Sequence, residues 1–158
     1  MGGGIRGHQT THFGEDVNTT AETANKALVL VAFDTLFHKR DYAAARQYWS
    51  PNYVQHSAHI APGRDGLFNF VKTAPSVLKY EPGVIGAEGD YVFVHGRLSG
   101  TGRARNWIAA DILRIEGGVI AEHWIVVQDE VAEADSKCGS PCSARDFSTG
   151  RPRDRGVM

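Results

Sequence analysis

The 158-residue sequence predicts an α+β domain, with helices in its first half and a largely antiparallel sheet in its second. Apolar residues before Pro75 recur at helical spacing, whereas those after Leu78 recur at every second position. The pair Gly117-Gly118 lies between two alternating runs and supplies the positive φ that a tight hairpin needs. The stretch from Asp90 to Asp129 therefore reads as three consecutive strands around which the rest is arranged.

Taken in order, residues 1–17 are glycine-rich and polar and read as a flexible arm. His8 and His12 stand four apart, but the glycines argue against a helix that would hold them on one face. Thr19 and Glu22 have capping-box spacing, which predicts a first helix from Thr20 to about Lys39. Its apolar residues fall in two stripes, Ala24/Ala27/Leu28/Val31 and Val29/Phe33/Leu36/Phe37, so it packs on two sides. Asp41 caps a short second helix that ends near Trp49, ahead of Pro51. Residues 50–63 read as a loop. A third helix runs from Arg64 to about Thr73 and stops at Pro75. Leu78–Glu88 is a strand bent at Pro82-Gly83. After Val131 the pattern fails, and residues 132–158 read as an extended or disordered tail. The domain proper is thus 18–131.

Within the sheet, pairing Glu116 with Val119 sets Asp111 opposite Trp124. Side chains alternate faces along a strand. Trp107, Ala109, Asp111, Leu113 and Ile115 then share a face with Glu122, Trp124, Val126 and Gln128. The strand before them places Tyr91, Phe93, His95 and Arg97 on one face, and pairing near His95–Asp111 or Arg97–Asp111 is equally allowed. Asp111 is the odd residue, a carboxylate within an apolar row, and such a charge needs a partner or a task. Two readings stand: a general base served by His95 or His56, or a strand-to-strand salt bridge with Arg97. His123 faces the other way in this register and reads as structural or interfacial. The opposite row of Ala110, Ile112, Ile125 and Val127 is apolar, which predicts a homodimer through the sheet.

Composition bounds the function. A net charge of −1 gives no footprint for nucleic acid or acidic lipid. No apolar run is long enough to span a membrane, and no signal-peptide pattern opens the chain. Cys138 and Cys142 fall in the polar tail, which fits a reduced, cytoplasmic setting. His56 and His59 stand three apart, yet a metal site needs further ligands at sensible spacing; no metal is expected.

The segments YVQHSAHIAPGRDG, GDYVFVHGR and DILRIEGGVIAEHWIVVQ resemble the SnoaL-like branch of the NTF2-like superfamily, over roughly Ala21–Val131. The resemblance implies an NTF2-like cone: three N-terminal helices packed in a strongly curved, mostly antiparallel sheet, with a pocket inside. It implies a cofactor-independent enzyme of the polyketide-cyclase type, working by acid–base chemistry on a small hydrophobic or carbonyl-containing molecule. Relatives on this cone include ketosteroid isomerases, dehydratases and epoxide hydrolases, and others only bind small molecules or assemble. By this resemblance Asp111 matches the acid–base aspartate, His56 the histidine of the QH motif, and Trp124 the tryptophan of the EHW motif. The expected site is Asp111 with His95 and His56 as catalytic groups, and Trp124, Arg97, Tyr53 and His59 around the substrate. Many relatives carry Asp after EHW, where this chain has Ile125.

Overall fold

The computed structural model describes residues 13–143, 145–146 and 151–152, with side chains from Thr19 to Ser143. Three helices and a five-stranded curved sheet form the expected α+β cone. Helix α1 (Phe13–Phe33) runs into a π-helical turn, Asp34–His38. Next come α2 (Tyr42–Ala45), β1 (Trp49–His56), α3 (Gly63–Thr73), β2 (Lys79–Glu88), β3 (Tyr91–Ser99), β4 (Trp107–Glu116) and β5 (Val119–Asp129). The sheet order is β1-β5-β4-β3-β2, antiparallel throughout except where β1 runs parallel to β5. A two-residue pair, β6 (Arg145–Asp146) and β7 (Arg151–Pro152), follows.

Helix α1 begins earlier than the capping box predicts. Thr19 and Thr20 lie inside the helix, and Glu22 is used elsewhere: its carboxylate accepts from the backbone N–H of Gly89 at 2.9 Å. The glutamate thus fastens the helix to the β2–β3 turn instead of capping it. The expected arm loses residues 13–17 to this helix, while His8 and His12 lie outside the described residues. Asp41 does cap α2, accepting from the Ala44 N–H at 3.0 Å.

Strand β1 replaces the loop read at 50–56. Pro51 and the polar residues around it suggested a break, but β1 is an edge strand, where a missing N–H costs little. Its register shifts between Trp49 and Val54.

Two bulges set the faces of the sheet. In β2 the register shifts between Pro82 and Val84, at the bend expected there. In β5, Glu116 pairs with Val119 and Ile115 with Ile120, but Arg114 pairs with Glu122, so Ala121 is an extra residue. One extra residue exchanges the two faces of everything beyond it. Asp111 therefore pairs with Ile125 rather than Trp124, and His123, Ile125 and Val127 point inward. Trp124 and Val126 go to the outer face with Ala110 and Ile112.

The core lies between the inner sheet face and the helices. Val92, Val94, Leu98, Ala109 and Leu113 from the sheet meet Val29, Leu36, Leu67, Phe68 and Val71 from the helices, all buried. Trp49 stacks parallel to Phe33 and meets Phe68 edge-on. No helix among the described residues is long and apolar enough to cross a membrane.

Candidate functional site

The site is built on Asp111, only 2% exposed at the centre of β4. Burying an ionised carboxylate costs heavily unless donors surround it, and two do. Tyr80 from β2 donates its hydroxyl to one carboxylate oxygen. His123 from β5 brings Nε2 to within 2.8 Å of the other. The far side of the imidazole is held from β1: its Nδ1 lies 3.1 Å from the Tyr53 hydroxyl and 3.3 Å from Gln55 Oε1, and Tyr53 donates to that same oxygen. A chain of polar groups, Tyr80–Asp111–His123–Tyr53–Gln55, crosses four strands inside an otherwise apolar core.

Each position has a local cause. Tyr80 reaches Asp111 by lying across β3, and the residue beneath it there is Gly96. A Cβ on Gly96 would meet the Tyr80 hydroxyl oxygen at 2.6 Å and Cζ at 2.8 Å, so only glycine leaves the path open. The π turn carries Phe37 against the Tyr80 ring, 5.6 Å between centroids, while Phe33 meets it edge-on at 4.7 Å. His38, at the end of that turn, donates from Nε2 to the Tyr80 carbonyl at 2.7 Å. The Ala121 bulge turns His123 inward, and the parallel β1–β5 pairing sets Gln55 beside it.

Burial raises the pKa of both tyrosines, and the negative charge of Asp111 adds to the effect. For Tyr80 the hydrogen bond to Asp111 pushes in the same direction. Both phenols therefore remain protonated donors across the physiological range.

Tyr80, Asp111 and His123 face a cavity of about 20 Å³, with Ile125 beside Asp111 on the sheet and Phe33, Phe37, Ile60 and Phe70 as its roof. That is room for about one water.

The expected site residues divide. Asp111 and Tyr53 lie on one polar chain, joined through His123. His95 pairs with Ala110 and lies on the outer face, because β3 and β4 are in register at Val94–Asp111 rather than His95–Asp111. Arg97 is also outside, bound to Glu81 at 3.1 Å and Glu130 at 2.9 Å, so the Arg97–Asp111 salt bridge does not form. The bulge carries Trp124 outward, where His56 stacks on it at 4.9 Å and bonds Glu122 at 2.9 Å. His59 packs on Trp107, 5.0 Å between centroids, away from Asp111. His123, read as facing away, is the buried partner of Asp111, and Tyr80 was not singled out. Ile125 lines the cavity rather than an outer surface. Cys138 and Cys142 are free thiols; hydrogen bonding from Ser136 lowers the pKa of exposed Cys138. No cluster of three or more His, Cys, Asp or Glu suited to a metal ion occurs among the described residues.

The family model described as SnoaL-like domain matches residues 30–123, more than half of the chain and all five residues of the polar chain. A comparison with curated proteins finds no match. Solved structures of like fold include a provisionally assigned ketosteroid isomerase from Kribbella flavida DSM 17836, at 16% identity and TM-score 0.60, covering 70% of this chain and 82% of that one. A provisionally assigned SnoaL-like polyketide cyclase from Jannaschia Sp. CCS1 matches at 20% identity and TM-score 0.56, covering 77% and 92%. An LEH-like epoxide hydrolase from M. tuberculosis matches at 14% identity and TM-score 0.55, covering 75% and 90%.

Proposed function

This chain belongs to the SnoaL-like domain family, and we propose that it is an acid–base enzyme that moves a proton at a carbon next to the carbonyl of a small, mostly apolar substrate, without a cofactor. One observation carries the proposal: a buried carboxylate, Asp111, held between the Tyr80 hydroxyl and His123 at the floor of an apolar cavity. The names of structures sharing the fold, a ketosteroid isomerase, a polyketide cyclase and an epoxide hydrolase, agree with small-molecule chemistry on this scaffold.

Asp111 takes the proton from carbon. A carboxylate has about four lone-pair sites, so it accepts a substrate proton while His123 still holds one oxygen. The Tyr80 hydroxyl then turns from Asp111 to the developing enolate oxygen, the kind of preplaced donor that stabilises an oxyanion. His123 is a positioning residue, fixed by Tyr53 and Gln55 and fixing Asp111 in turn. Aldol cyclisation, isomerisation and dehydration all share this step.

The test is deuterium exchange. Cyclic and aryl ketones in D2O with enzyme exchange their α-protons, followed by proton NMR. Asp111→Asn lowers the rate roughly 10²–10⁴-fold, the usual worth of a positioned base. Exchange that is unaffected by Asp111→Asn ends the catalytic assignment. Ketones that bind the wild type without exchanging assign the chain to non-catalytic binding.

We propose further that a second copy docks on the outer sheet face. Val84, Tyr91, Phe93, Ile112 and Val126 are exposed there, Val126 at 71%. An apolar patch of this kind on the side opposite the helices is suited to an interface.

A further inference from the structure

The geometry points to an anion-recognition rim beside the cavity, so that the substrate is a carbonyl compound bearing one carboxylate at its far end. The inference rests on the acid–base reading for the carbonyl end and on separate residues for the acid end.

The rim is the β3–β4 loop. Along the inner face of β4, Asp111, Ala109 and Trp107 follow at every second position, leading from the cavity floor to the loop. Trp107 is covered by two groups. The Arg103 guanidinium lies 4.8 Å from the indole centroid, and the His59 ring lies at 5.0 Å. His59 precedes Ile60, which roofs the cavity. Arg103 and Arg105 border an open recess of about 350 Å³, together with Ala104 and Asp129. Neither arginine has an ion pair among the described residues.

Two exposed arginines alone would mean little, but this loop is pinned. Gly100 has φ +69° and lies so close to Val77 that a Cβ would stand 2.3 Å from its carbonyl oxygen. At the other end Asn106 is tied to Glu130 twice: its amide donates to the carboxylate at 3.0 Å, and its carbonyl accepts from the Glu130 N–H at 2.8 Å. The contact with Trp107 holds Arg103 in place before any ligand arrives, which reduces the ordering cost of binding. A guanidinium fork matches a carboxylate. Asp129 in the same recess offsets one of the two positive charges, which favours a monoanion over a dianionic phosphate. Asp111 and Trp107 stand four positions apart along the strand, about 13 Å. The substrate therefore has its carboxylate on the order of 10–13 Å from its reacting carbonyl, the length of a biphenyl or fused three-ring acid.

The test uses 4′-acetylbiphenyl-4-carboxylate and its methyl ester, titrated calorimetrically into the wild type, Arg103→Gln/Arg105→Gln and Asp111→Asn. The acid should bind the wild type about tenfold tighter than the ester, as expected for one charge-assisted fork. The arginine variant should lose that preference and Asp111→Asn should keep it. Equal binding of acid and ester, no binding of the acid, or a preference unaffected by the arginine substitutions overturns the rim. Deuteration of the acetyl group in D2O reads the Asp111 chemistry separately. Exchange without acid preference removes the rim alone, whereas acid preference without exchange removes the acid–base reading and leaves the rim standing.

Discussion

Replacing Asp111 by Asn tests the site through stability as well as rate. Asp111 accepts from two donors, one on each oxygen: Tyr80 and His123. An amide of the same shape has one accepting oxygen and one donating nitrogen, so it accepts from only one of the two donors, and the other must reverse its role or lose its partner. A buried donor left without an acceptor costs about 1–3 kcal/mol. For a domain of this size a loss of about 2 kcal/mol lowers Tm by roughly 8 °C. The companion change is Tyr80→Phe. In that background only His123 meets the amide, and its other end faces a phenyl ring, so the cost of Asp111→Asn should differ by about 1 kcal/mol from its wild-type value. Urea unfolding of the four proteins measures this coupling. Full additivity would refute the shared carboxylate. A drop in rate of about 10²–10⁴ in Asp111→Asn should accompany the stability loss, because the proposed base and the network are the same group.

Three further outcomes are expected. Gly96→Ala places a methyl 2.6 Å from the Tyr80 hydroxyl oxygen and should destabilise by about 1–3 kcal/mol, measured by urea unfolding, through displacement of that ring; an unchanged midpoint would mean that the ring has room to move. Tyr53→Phe leaves Gln55 Oε1 still 3.3 Å from His123, so it should cost only about 1 kcal/mol and slow exchange less than Asp111→Asn does; an equal loss of rate would make Tyr53 a direct participant. Sedimentation should give a dimer at micromolar concentration that Val126→Asp weakens by setting a charge in an apolar contact; a wild-type monomer would remove the docking face.

The fold was readable because its signals are local. Hairpin glycines, the cap at Asp41 and the bend at Pro82-Gly83 each act within a few residues. The site was only partly readable because it depends on phase. Asp111 announced itself as a carboxylate in an apolar row, and Tyr53 lay within the segment that carries the family resemblance. Pairing from Glu116–Val119 was right at the turn, yet the Ala121 bulge then exchanged His123 for Trp124. A signal was present: Arg114 opposite Glu122 makes an ion pair at 3.0 Å, and only the shifted register allows it. His95 failed for a related reason, since the long β3–β4 loop left that register open. β1 was hidden by Pro51, and its parallel pairing joins residues some 70 positions apart, beyond the reach of periodicity.

That parallel pairing fixes when the site can exist. The β2–β3, β3–β4 and β4–β5 pairings join neighbouring segments and close cheaply, whereas bringing β1 to β5 closes a far longer loop. Tyr80, Asp111 and His123 meet within the meander, but Tyr53 and Gln55 reach His123 only when β1 docks on the last strand. A nascent chain still lacking β5 holds Asp111 without its His123 partner. A chain whose first strand has peeled away keeps that bond and loses the support behind it. The polar chain across the cone thus serves as a latch between the beginning and the end of the sheet, and its intact form certifies that both have been delivered.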